Sequence, residues 1–524
     1  MDNKKVIDTI KNAISVETHY DVNNLQENQS FESMGLESVV MVSIINRLEE
    51  VFGTLPKTLF FEYSTIKELS EYLFSEYNVD EKFNDYTESI YAEDKTVDFK
   101  TPDMKTEPNH FSNIEDVTLE MSKYDDSEHN SDDIAIIGIH GRFPMADNLN
   151  EFWDNLSHGK DCISEIPDSL IEKNNLFGSL SEGKWGGFIK GIDEFDPLFF
   201  NISNREAEML DPQERLFLEE VYHTLEDAGY HRKRLKDSKV GVYAGAMWNQ
   251  YQLYGSDRGN AESFISSLAN RVSYFFDFHG PSIGIDTMCS SSLTSVYLAC
   301  MNLKNKDIDY AIAGGVNIDV HPSKHLYLSK LGFASKDGRC RSFGEGGTGY
   351  VPGDGVGAIM LKRLSDAVKD GDRIYAVIKS IEINHSGKST GYSAPNPKSQ
   401  TELIEKTFSK TDVNPADVGY MEMHGTGTAL GDPIEIRAAT KFFSKYIKDN
   451  KICPIGSVKS NIGHQEAAAG FSQIAKVLLQ FKYSKLVPSI HSSTLNKNID
   501  FEKTPFYVQQ TLCDWSEKYK YIDG

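Results

Sequence analysis

The sequence predicts two folds in one chain, a small all-α bundle followed by a large α/β domain. Three observations predict this. Residues 1–80 carry apolar stripes at helical spacing, residues from Asp133 onward alternate short strand-like runs with helix-like segments, and an acidic polar stretch separates the two. At 524 residues the chain has room for both domains.

The bundle comes first. Val6, Ile7, Ile10, Ala13 and Ile14 make one stripe, and Val40, Met41, Ile44, Ile45, Leu48 and Phe52 make a second. A third helix is expected over 65–77. The second follows Met34-Gly35-Leu36-Glu37-Ser38 and ends near Gly53, so Ser38 falls where an N-cap hydroxyl would satisfy an orphan N–H. Capping alone would explain that serine.

Residues 81–130 hold 5 basic and 14 acidic residues with two prolines, and read as an acidic tether with a short helix over about 111–121. Residues 1–80 hold 6 basic and 14 acidic. The two segments thus carry −8 and −9 of the net −24, leaving −7 for 131–524. Such a field repels phosphate backbones and anionic lipid, so nucleic acid is not an expected partner. Six scattered cysteines are too sparse for a disulfide scaffold, no CxxC pair suggests zinc, and a reducing compartment fits. No apolar run approaches a membrane span and no signal peptide opens the chain, so a cytoplasmic location is expected.

In the large domain, buried strands are expected at 134–139, 239–245, 282–286, 309–315, 355–361, 375–383 and 453–458, with helices between them. The sharpest position is the turn from the strand Ser282–Asp286 through Thr287-Met288-Cys289-Ser290-Ser291 into a helix. A cysteine there lies near the positive end of the helix dipole, which favours thiolate. Cys289 is the nucleophile candidate; Cys300, inside the same helix, reads as a buried structural thiol.

Two histidines sit in glycine-rich loops expected after strands: His424 in HGTGT, and His464 closing KSNIGH before a helix over QEAAAGFSQIAKVLLQFK. Either alone could be a core residue or a cap. Together with a strand-end cysteine they favour a shared site, because α/β active sites gather at strand C-termini. The stretch GEGGTGYVPGDGVG is no nucleotide loop, since no Lys-Ser/Thr follows it.

DTMCSSSL, HGTGT and KSNIGHQEAAAG, in this order, resemble the three signature blocks of β-ketoacyl synthases, in particular the ketosynthase domains of modular polyketide synthases. IAIIGIHGRFP, DPQERLFLE, ANRVSYFFDFHGPS, DGRCRSF, YVPGDGVGAIMLK, GDPIEI and NIDFEKTPFYV agree along most of 133–515. Gly-Leu-Glu-Ser opening an amphipathic helix in an acidic bundle is similar to an acyl carrier protein, although that family more often has Asp where this chain has Glu37. The resemblance implies a carrier over 1–80, a linker over 81–130 and a ketosynthase over 131–524. The implied ketosynthase fold is thiolase-like, two α/β halves in five layers, usually a homodimer.

The resemblance also implies the roles. Ser38 would carry 4′-phosphopantetheine, whose phosphate gains from the helix start. Cys289 would take an acyl chain, and His424 and His464 would donate hydrogen bonds while a malonyl-type extender decarboxylates and condenses. Lys459 would orient the site with Glu466 as ion-pair partner, and Thr426 and Thr428 would contact the pantetheine arm unless they only serve their turn. No metal is required. Expected partners are carrier domains, a phosphopantetheinyl transferase and a free-standing acyltransferase. The sequence stops short of a glycine- and phenylalanine-containing segment usual in the family, so an incomplete, weakly active synthase is expected. A transacylating domain that does not elongate, and a noncatalytic scaffold for carriers, are the competing readings.

Overall fold

The structure, a computed structural model, describes residues 3–77 except 19, 32, 33, 35 and 37, and residues 133–515 except 169, 171–182, 259–260 and 390–393. The expected tether over 81–130 and its helix over 111–121 lie outside the described residues.

The first domain is built from α1 (Asn3–Thr18), α2 (Ser38–Phe52), α3 (Leu59–Glu62) and α4 (Ile66–Glu76). All five expected residues of the first stripe are buried on α1, and they meet Met41, Ile44, Ile45 and Leu48 of α2 around Phe31 and Phe60. Thr65 caps α4 by accepting from Glu68 N–H, while the Glu68 carboxylate accepts from Ser64 N–H, a reciprocal cap that starts the helix one residue later than expected. Helix α3 has no counterpart among the expected elements, because four residues are too few to show a period. Helix α2 opens on Ser38 itself, one position earlier than an N-cap reading puts it; the Ser38 side chain lies outside the described set.

In the second domain β1 (Ile134–Arg142) begins a six-stranded sheet. Helix α5 (Leu149–Ser157) and α6 (Pro212–Asp227) follow, then β2 (Val240–Gly245), α7 (Ile265–Phe276), β3 (Ser282–Ile285), α8 (Ser291–Lys304), β4 (Tyr310–Asn317), α9 (Ser323–Lys330), β5 (Gly355–Arg363) and β6 (Ala376–Ile378). The order across the sheet is β3-β2-β4-β5-β1-β6. Strands β3, β2 and β4 run parallel, and β5 is antiparallel to both β4 and β1. Every residue of β2 is buried, as continuous apolar strands are when helices cover both faces. Helices α6 and α7 lie on one face; α8 and α12 (Ala469–Tyr483) lie on the other.

A second sheet, parallel and ordered β9-β8-β7, is made by β7 (Met421–Glu422), β8 (Cys453–Gly456) and β9 (Phe506–Val508). Its outer face packs on α11 (Gly431–Phe443), which follows α10 (Pro397–Phe408), through Ile436, Ala439, Phe442 and Phe443. Its inner face meets α12, where Lys476 pairs with Glu422 at 2.7 Å and Gln473 donates to Met423 O at 2.8 Å. The layers are therefore helix, sheet, helix, sheet, helix. The expected strand over 375–383 is only three residues long: it adds to the edge of the first sheet through β1, and beyond Ile378 it has no ladder partner among the described residues.

Two close approaches set where α12 lies. A Cβ at Gly357 would stand 2.1 Å from the Phe471 ring and one at Gly141 would stand 2.5 Å from it, so the ring drops onto the sheet only because both positions are glycine. Phe471 then stacks on Phe143, and its N–H donates to Ser292 Oγ in α8. This fixes α12 against α8, and with it the loop that precedes α12.

Candidate active site

The Cys289 turn is wired by hydroxyls. Ser291 Oγ accepts from Thr287 N–H at 2.9 Å and donates to Met288 O at 2.6 Å, while Thr287 and Thr294 hydroxyls meet at 2.9 Å. Met288 has φ 57°, a left-handed conformation that bends the chain sharply between β3 and α8. The half-buried Cys289 thiol is pushed up to about 12, chiefly by burial and then by the Glu466 carboxylate, with Lys459 pulling the other way. The helix start therefore does not by itself supply a thiolate, contrary to the dipole expectation; burial outweighs it. Cys300 is fully buried inside α8, as expected of a structural thiol.

His424 follows β7 directly. Its N–H and that of Gly425 both donate to the Glu435 carboxylate, at 2.7 and 3.0 Å, so one half-buried acid on α11 grips the start of the HGTGT loop. Gly425 and Gly427 take φ of 44° and 77°, which lets the loop fold back on Ser342 and Asp432. The His424 ring is solvent-exposed although protein crowds it, and crowding together with Lys459 pushes its pKa down; its open face makes that push weaker than the one on His464.

His464 does not directly follow a strand, as the sequence suggested. A single helical turn, Lys459–Ile462, stands between it and β8. Its backbone is held by pairing to the segment before β5: His464 N–H donates to Val351 O at 2.7 Å and His464 O accepts from Gly353 N–H at 3.0 Å. The ring is buried and lies 5.3 Å from that of His424, centroid to centroid, at 85°. Glu466 N–H donates to His464 Nδ1 at 3.1 Å, so Nδ1 is the acceptor and the proton of the neutral ring sits on Nε2. Burial first, then Lys459 and His424, drives the His464 pKa well below its ordinary value.

Lys459 is buried, and among the described residues its ammonium has no hydrogen-bond partner. The expected pairing with Glu466 is not formed: Glu466 Oε2 lies 2.9 Å from Lys324 Nζ instead. The reason is directional, since Glu466 turns its side chain toward α9 and away from the Lys459 turn. Thr426 and Thr428 hydroxyls bond each other at 3.2 Å, and Thr428 Oγ1 accepts from Gly431 N–H at the start of α11, so both hold the turn.

The Lys459 charge thus acts on Cys289 and on both histidines, and the two rings face each other, whereas Ser38 lies on the first domain. Sequence reasoning missed Glu435 as the clamp on His424, although it lies within the quoted GDPIEI. It also missed Lys324, Trp248 and Tyr350 around Glu466, for which no spacing gave a signal. Such a site suits acyl transfer to sulfur, with two neutral imidazoles beside it able to meet a developing oxyanion.

Comparison with known proteins agrees. Residues 131–367 match the model of the β-ketoacyl synthase N-terminal domain, 375–493 that of its C-terminal domain, and 8–73 that of the phosphopantetheine attachment site. The chain is 47% identical over 518 residues to polyketide synthase PksL of Bacillus subtilis, covering 94% of this chain and 11% of that protein. It is 44% identical over 523 residues to polyketide synthase ThaG of Burkholderia thailandensis, covering 94% and 9%. The chain therefore spans about a tenth of the length of these relatives. Among solved structures, the oxazolomycin ketosynthase domain OzmH KS7 of Streptomyces albus JA3453 superimposes with a TM-score of 0.71 at 49% identity, covering 73% of this chain and 70% of that one. The ketosynthase from module 6 of the bacillaene synthase of Bacillus subtilis gives 0.70 at 43% identity, covering 73% and 67%.

Proposed function

Because the chain belongs to the β-ketoacyl synthase family, with a phosphopantetheine-carrying domain ahead of a thiolase-like ketosynthase, we propose that it extends an acyl chain by decarboxylative condensation on Cys289 during polyketide assembly. The observation that carries this reading is the pair of imidazoles 5.3 Å apart in the site of a strand-end cysteine.

In the first half-reaction Cys289 Sγ attacks a carrier-bound thioester. The new C–S bond forms as the carrier C–S bond breaks, and the thiol proton passes to the departing carrier sulfur. Since the resting group is the thiol, deprotonation accompanies attack. The Cys289 N–H, at the start of α8, is the oxyanion donor for this step. In the second half-reaction a malonyl-type thioester loses CO2, and its electron pair becomes an enolate whose oxygen receives hydrogen bonds from His424 and from the Nε2–H of His464. The enolate carbon then attacks the acyl-Cys289 carbonyl, and the Cys289–carbon bond breaks to restore the thiol with a proton from solvent. Neutral imidazoles suit the step because they donate without titrating. Burial keeps both rings neutral, and the positive charge of Lys459 acts in the same direction and favours the departing Cys289 sulfur. A transacylating domain would have no use for the paired donors.

Ser38 is the phosphopantetheine attachment residue, and Thr426 and Thr428 flank the arm where it enters. Partners are carrier domains, a phosphopantetheinyl transferase and a separate acyltransferase, in the cytoplasm. Among the described residues no helix is long and apolar enough to cross a membrane. The partner subunit of a homodimer would meet β3, an edge strand with Ile283 exposed, and α7 with Tyr274 86% exposed.

Peptide-resolved mass spectrometry tests the reading after treatment with a phosphopantetheinyl transferase and coenzyme A, then an acyl thioester donor. Pantetheine on the Ser38 peptide and acyl on the Cys289 peptide are expected, the latter lost in Cys289→Ala. A folded sample acylated elsewhere, or left unmodified at both, would overturn it.

A further inference from the structure

Four titratable side chains lie fully buried beside the site and take no part in the chemistry above: Asp319, Lys324, His325 and Glu466. Lys324 bridges Asp319 and Glu466, with its Nζ also 3.3 Å from Asn317 Oδ1, and His325 Nε2 lies 3.2 Å from Asp319. Buried ion clusters of this kind are weak contributors to stability, since desolvation offsets the attraction, so stability alone does not call for one here.

The cluster converges on a single carboxylate. Glu466 Oε2 accepts from Trp248 Nε1 at 2.6 Å and lies 2.9 Å from Lys324 Nζ, while Oε1 accepts from Tyr350 OH at 3.1 Å. The three partners come from the end of β2, from α9 and from the segment before β5. Together they hold a residue whose own backbone is strained, with φ 44° in the left-handed region that L-residues avoid. That conformation aims the Glu466 N–H at His464 Nδ1, 3.1 Å away, and Tyr350 packs edge-on against the same ring at 4.9 Å.

We propose that Glu466 is a positioning residue for the condensation step: its carboxylate, clamped by Trp248, Tyr350 and Lys324, holds the left-handed backbone whose N–H fixes His464 as an Nε2–H donor. The inference rests on the role given to His464 above and adds what sets that ring. It makes the two half-reactions separable. Loading of Cys289 needs the thiol and the oxyanion donor, whereas decarboxylation needs the imidazole oriented.

The test uses the phosphopantetheine-loaded full chain and two assays, acyl loading of Cys289 and CO2 release from a malonyl-carrier thioester. Glu466→Gln keeps the volume but turns an NH2 toward donors. It is expected to leave loading within about threefold and to slow decarboxylation about tenfold or more, the scale of lost ligand-orienting contacts. Trp248→Phe, which removes one donor from the clamp, is expected to move the same step in the same direction and serves if Glu466→Gln does not fold. A double-mutant cycle gives the readout that mere bracing would not move: in a His464→Gln background neither change should slow decarboxylation further. Removing the Glu466 charge should also shift Cys289 alkylation to lower pH, because that charge opposes thiolate. Equal losses in both assays, additive losses in the cycle, or no loss in either variant would overturn the proposal. If the unsubstituted chain neither loads Cys289 nor releases CO2, the reading of function fails instead, and that outcome also removes the role assigned to Glu466.

Discussion

Acidification should cost the folded synthase free energy through one buried ring. His464 is 1% exposed, and burial with its neighbours holds its folded pKa well below 6.5, so in the folded state it stays neutral where the unfolded chain already binds a proton. The unfolded state therefore binds more protons, and stability falls as pH drops below about 6.5, at about 1.4 kcal/mol per pH unit until the folded pKa is reached. From pH 6.5 to 5 that amounts to about 2 kcal/mol. The ring pair sharpens the effect. At 5.3 Å, two imidazolium charges would repel by about 3 kcal/mol at an effective dielectric of about 20, which adds to the burial that keeps the pair from holding two protons. The assay is unfolding of the synthase between pH 7 and pH 5, for the unsubstituted chain and for His464→Gln, which accepts from Glu466 N–H but does not titrate. The unsubstituted chain should lose about 2 kcal/mol more over that interval, a shift of a few degrees in Tm. Parallel curves would refute the reasoning, as would an acid limb near pH 6.5 in decarboxylation that disappears in His464→Gln.

Glu435→Gln leaves one of the His424 and Gly425 N–H groups facing an amide NH2. We expect a loss of about 1–3 kcal/mol in denaturant unfolding, with decarboxylation slowed more than Cys289 loading; unchanged stability and rates would show that the carboxylate is not the clamp. Ile283→Lys places a charge on the edge strand β3 and should turn a dimer into a monomer by light scattering, while a mass unchanged by the substitution would move the subunit contact elsewhere.

Much of the first sheet is legible in the amino-acid pattern, because β1, β2, β4 and β5 are continuous apolar runs whose composition follows from burial on both faces. The run over 375–383 looks the same but forms only Ala376–Ile378, since a strand exists only as far as a neighbour offers ladder partners. Helix α3 is invisible in the pattern for a different reason: four residues carry no period, and Phe60 is held there by Phe31.

The same division runs through the site. Residue type and local turn chemistry suffice to pick Cys289, His424 and His464, because a nucleophile at a strand-to-helix turn and histidines in glycine-rich loops are properties of short segments. Partners are another matter. Glu466 is two residues from His464 and seven from Lys459, yet it pairs with Lys324, 142 positions earlier, because φ 44° and the packing of Phe471 between Gly141 and Gly357 turn it that way. The protonation of Cys289 departs from expectation on similar grounds: a helix start is written in the sequence, but the desolvation that outweighs it depends on what tertiary packing brings around the sulfur. Sequence alone determined the chemistry available to this protein and the order of its two domains. Tertiary structure alone decided which charges face which, because Coulomb interaction and burial depend on distance and solvent access rather than on position along the chain.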